Sequence, residues 1–145
     1  MTRYIERQMN TLYKKQPLAA GLLGLVLLGS ANADEVKILA ANFSHSSNNL
    51  WSVDVTLKHH DTGWDHYADD WRIMDDRGHV LGDRVLYHPH ATEQPFTRSL
   101  GRVKIPQNIT TVYIEAHDKV HGWTPERLMV DLTKASDGHL RVEAK

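Results

Sequence analysis

The sequence has no cysteine. That one absence removes disulfide frameworks, thiolate zinc sites, iron–sulfur clusters and cysteine nucleophiles together. An excess of either charge is also missing: 17 Lys+Arg stand against 18 Asp+Glu. A strongly basic nucleic-acid binder is therefore excluded on bulk electrostatics. There is no Gly-rich phosphate loop, no serine elbow and no carboxylate pair at acid/base spacing. Internal repeats and low-complexity tracts are absent as well. With 145 residues and 41% hydrophobic side chains, the chain suits one packed domain, not several.

The neutral balance hides two parts of opposite sign. Residues 1–16 carry Arg3, Arg7, Lys14 and Lys15 against Glu6 alone, and Leu18 to Leu28 is an uncharged apolar run. Gly29, Ser30 and the triplet Ala31-Asn32-Ala33 follow. This order is that of a secretory signal peptide over 1–33, cut after Ala33. The run is too short for a bilayer span, which needs roughly 20 apolar residues. No Arg-Arg pair precedes it, which favours the general secretory route over the twin-arginine one. With no cysteine after the cut, lipid anchoring is not expected. Taking 33 residues from 145 leaves 112, with 13 basic side chains, 17 acidic ones and all ten histidines.

Period-two alternation dominates the remainder. Leu50 to Lys58 is the clearest case, with Trp51, Val53, Val55 and Leu57 on one face and Ser52, Asp54, Thr56 and Lys58 on the other. Further strands are expected over Val36–Ala40, Tyr67–Met74, His79–Tyr87, Phe96–Val103, Thr110–Ala116 and Arg127–Leu132. About seven short strands in a chain of this length predict an all-β fold, a single antiparallel β-sandwich of immunoglobulin-like or fibronectin-like plan. A small barrel or a jelly roll is the alternative. The sandwich is expected over 34–134, with 135–145 a polar C-terminal tail or edge strand.

Seven of the ten histidines fall in three inter-strand segments: His59-His60-Asp61-Thr62-Gly63-Trp64-Asp65-His66, His88-Pro89-His90, and His117-Asp118-Lys119-Val120-His121. In the sandwich plan these three connections emerge at one end. Imidazole is the commonest protein ligand for Zn and Cu(II), and carboxylates complete or orient such sets. The candidate metal ligands are therefore His88, His90, His117 and His121, then His60 and His66, with Glu93 and Asp118 as partners behind them. His59 continues the apolar face of its strand and reads as a hydrogen-bonded histidine at the core's edge. Soft Cu(I) is disfavoured, because Met74 and Met129 lie far from these segments. Zn or Cu(II) is the only cofactor expected. Trp64 and Trp123 each follow a glycine at the same end, where they either cap the sandwich or stack on a ligand.

The stretches His60–Tyr67, His88-Pro89-His90, Glu93-Gln94-Pro95-Phe96-Thr97-Arg98-Ser99-Leu100 and Ala116-His117-Asp118, with His121-Gly122-Trp123, resemble an uncharacterised family of small exported bacterial proteins. That resemblance covers most of the mature domain. It implies export and carries no activity with it.

The expected protein is thus periplasmic or secreted and soluble, and it binds a divalent transition metal or a small polar ligand at its histidine-rich end. The competing reading is a metal-independent module that recognises protein or glycan through Trp64 and Trp123. A metal-dependent hydrolase with Glu93 as base ranks third, since nothing in the sequence singles out a substrate. No nucleic-acid partner and no membrane anchor after cleavage are expected.

Overall fold

The computed structural model describes residues 34–145; the expected signal peptide over 1–33 lies outside the described residues. Alternating apolar side chains become strands wherever the pattern foretold them. In chain order these are β1 (Lys37–His45), β2 (Leu50–Lys58), β3 (Ala68–Met74), β4 (Val80–Val85), β5 (Phe96–Lys104), β6 (Thr111–Asp118), β7 (Gly122–Trp123), β8 (Leu128–Asp131) and β9 (His139–Glu143). One turn of 3-10 helix, Leu132–Lys134, follows β8.

The strands form two antiparallel sheets. One has the order β5-β2-β1-β9; the other has β4-β3-β6-β7, with β8 also paired to β6. The inward faces supply a single core in which Phe43, Val53, Val55, Leu57, Trp71, Ile73, Val112, Ile114 and Val130 are fully buried. On β2 the residues that alternate with these, Ser52, Asp54, Thr56 and Lys58, are half-buried or exposed. A half-buried antiparallel strand requires that division.

All seven expected segments are strands, and two further ones join them. Residues 139–143 pair antiparallel with β1, placing Leu140 opposite Phe43 and Val142 opposite Ala41. Gly122 and Trp123 fold back on Asp118 and His117 as the short β7. The fourth strand lies beside β3, whereas the constant-type immunoglobulin order places it beside the fifth. β5 carries a bulge at Gly101 and Arg102: the β2–β5 register slips between Trp51↔Val103 and Val53↔Leu100, and Arg102 takes a φ of 59°.

Candidate metal centre

Two buried carboxylates organise the histidine-rich segments. Asp61 Oδ1 accepts hydrogen bonds from His59 Nδ1 at 2.6 Å and from the Ala68 amide at 3.0 Å. Its Oδ2 accepts from the His90 amide at 2.7 Å. One side chain thereby joins the 59–67 connection to the 86–95 connection. Gln94 adds a second tie, accepting from the His59 amide at 3.0 Å and donating to the His90 carbonyl at 3.1 Å.

Asp118 ends β6 and shapes the turn that follows. Its Oδ1 accepts from the amides of Val120 and His121 at 2.9 and 2.8 Å, a short-range role for which aspartate is well suited. Gly122, at φ +82°, lets the chain reverse at once into β7. The turn brings His121 Nδ1 to 3.1 Å from Asp118 Oδ1. Burial alone would raise the Asp118 pKa. The His121 and Val120 amides, with the nearby His121 and His59 side chains, outweigh that burial and hold it below the usual carboxylate value.

His66 reaches the same carboxylate from the 59–67 connection. A tight loop, with the Thr62 amide bonded to the His66 carbonyl at 3.0 Å, sets its position. Lys119, just past the end of β6, pins the loop by donating from Nζ to the Trp64 carbonyl at 2.8 Å. His66 Nε2 lies 3.3 Å from Asp118 Oδ1, yet this buried nitrogen makes no hydrogen bond of acceptable geometry. Ligand atoms of His59, His66 and Asp118 all fall within 4.8 Å of one another. The His59 and His66 ring centroids are 4.9 Å apart, and those of His66 and His121 are 5.1 Å apart. Two imidazoles on one ion at metal–nitrogen distances of about 2.0–2.1 Å, meeting at 90–110°, have centroids roughly 4.5–5.2 Å apart.

His59 is both a satisfied core residue and a member of this group. Nδ1 bonds to Asp61, and Nε2 lies 2.8 Å from the Asp34 carbonyl oxygen. Histidine ligands ordinarily give their second nitrogen to a carboxylate, as His59 does here to Asp61. Nε2 is therefore the atom a metal would claim, in exchange for the Asp34 carbonyl. The strand's alternation explains why His59 is buried. The pairing with Asp61 two residues on was the signal for the further role.

The other candidates go to separate places. His88 and His90 form a pair of their own, with centroids 4.6 Å apart. His117 Nδ1 lies 2.5 Å from Asp69 Oδ1, and its ring meets Trp123 edge-on at 4.9 Å. His60 is exposed and lines a recess with Lys37, Lys58 and Gln94. Glu93 is paired with Arg98 at 3.2 Å, which is the main reason its pKa falls below the usual value. Trp64 is 64% exposed and packs edge-on against Tyr67. Trp123 is half-buried, and the Arg72 guanidinium lies 3.8 Å over its ring.

No protein-family model matches the chain, and no solved structure matches it. A protein of Halomicrobium mukohataei named "Putative lipoprotein" is 35% identical over 97 residues, which are 67% of this chain and 47% of that protein. The chain thus spans about half the length of the curated relative it matches. Among the described residues, no helix is long and apolar enough to cross a membrane.

Proposed function

We propose that this chain is an exported β-sandwich, fibronectin-like in strand plan, that binds a divalent transition metal through His59, His66 and Asp118. His121 stands ready as a fourth ligand. The observation that carries the reading is the buried His66 Nε2, without a hydrogen bond, 3.3 Å from an ionised carboxylate and within coordination reach of a second imidazole. Such an orphaned nitrogen costs stability unless something binds it. A set of two imidazoles and a carboxylate suits Zn or Cu(II) and is poor for Ca or Mg. The basic, apolar and Ala-x-Ala order of residues 1–33 supports export, as does the name of the Halomicrobium relative. A binding or delivery role fits a centre of three protein ligands whose fourth position passes between His121 and an exchangeable ligand.

Calorimetric titration of the metal-free full chain with Zn and with Cu(II) tests this. The wild type should bind with micromolar affinity or better, and His66→Ala should weaken binding by about tenfold or more. Failure of the wild type to bind either metal below roughly millimolar would overturn the reading. Trp64 at 64% exposure and Tyr87 at 75% favour a second reading, a protein or glycan partner stacking at this end. That reading expects partner binding to survive EDTA.

A further inference from the structure

His90 holds the most isolated polar side chain among the described residues. Its side chain is 2% exposed, and neither ring nitrogen has a hydrogen-bond partner. A neutral imidazole carries one N–H and one lone pair, so both its donor and its acceptor are orphaned. The ring cannot turn to find partners. It lies flat on Phe96, with centroids 3.9 Å apart and planes 9° apart. The backbone is fixed by Asp61 at the amide and by Gln94 and the Glu93 amide at the carbonyl. The nearest carboxylate oxygen, Asp61 Oδ2, stands 3.8 Å from Nδ1 and is already engaged by the His90 amide.

The ring beside His90 is another imidazole. His88 is exposed, its Nδ1 lies 3.2 Å from the Pro89 carbonyl, and its Nε2 has no partner among the described residues. The two centroids are 4.6 Å apart with planes at 42°. That separation again falls within the roughly 4.5–5.2 Å expected for two imidazoles sharing an ion. Pro89 between them stiffens the backbone that sets the spacing.

We infer that His88 and His90 form a second transition-metal site, separate from the His59–His66–Asp118 centre, with Cu(II) as its tightest-bound divalent ion. A lone pair on each ring becomes a ligand, and water completes the coordination. Nitrogen donors bind Cu(II) more tightly than the other divalent first-row ions, which is the basis for the metal chosen. The two sites meet at Asp61, whose Oδ1 orients His59 while Oδ2 holds the His90 amide.

The test is copper stoichiometry on the metal-free full chain, followed by calorimetry and by electron paramagnetic resonance after gel filtration. Wild type should retain two equivalents of Cu(II), and His88→Ala and His66→Ala should each retain one. His88 is exposed, so its replacement leaves the fold intact, and nitrogen hyperfine structure should lose one component. Wild type retaining one equivalent, lost in His66→Ala and unchanged in His88→Ala, would refute the second site and leave the first standing. One equivalent lost in His88→Ala and untouched in His66→Ala would do the reverse. Two equivalents retained by His88→Ala would place the extra copper on other histidines and also overturn the inference.

Discussion

Asp70 shows what a single side chain can impose on the stability of this molecule. It sits on β3 with Asp69 beside it and Asp83 on the neighbouring β4. Burial, then the Asp83 carboxyl, then Asp69 push its pKa from 3.8 to about 7. Its native state therefore holds a proton that the unfolded chain releases near pH 4. The resulting stabilisation is complete below the unfolded pKa and is lost as pH rises through about 7. The depressed Asp75, Asp118 and Asp131 act at lower pH, where stability is lost as they become protonated. His90, depressed by burial, works against Asp70 in the same window. Comparison with Asp70→Asn isolates the effect. Relative to wild type, the variant should gain stability steadily between pH 4 and 8, read as urea midpoints. A difference independent of pH would mean that Asp70 titrates normally.

At the scale of the strand, β4 packs directly on β5 of the facing sheet. A Cβ on Gly82 would stand 2.9 Å from Leu100 Cδ2 and 3.3 Å from Val103 Cγ1. Val103 is buried and Leu100 packs against the core, so the side chains that meet the new methyl are already packed in place. Gly82→Val should cost about 1–3 kcal/mol in chemical denaturation by overpacking. Gly101→Ala, with nothing within 4 Å of the new methyl, should cost well under that. Equal costs would show that the contact yields freely. Alternation made the strands legible, because burial of one face leaves its mark at every second residue. The place of β4 was not legible, since its burial is weak along its whole length. Nor was β7, since two residues held by Asp118 and Gly122 are too short to show a period.

Across the whole molecule, β9 covers what would otherwise be the open edge of β1. Its Leu140 and Val142 pack against the core, and β9 itself presents the polar His139, Arg141 and Glu143 between them. Removing residues 136–145 should bare the β1 ladder from Ala40 to Ser44 and invite pairing between copies. The shortened chain should unfold at lower denaturant and sediment as oligomers. A stable monomer would show that the edge needs no cover. The gathering of histidine segments at one end was readable from strand order. Which imidazoles meet was not, because that depends on loop hydrogen bonds with no period of their own. His66 and His121 converge through Lys119, Gly122 and the Asp118 turn, while His117, one residue before Asp118, goes instead to Asp69.

Asp61 gives this end of the molecule a common point of failure. Replacing the histidines one at a time would remove one donor and leave the others aligned. Losing the Asp61 carboxylate would release the His59 Nδ1, the Ala68 amide and the His90 amide together. The residue with the widest control over the histidines is thus one that is never itself asked to touch an ion.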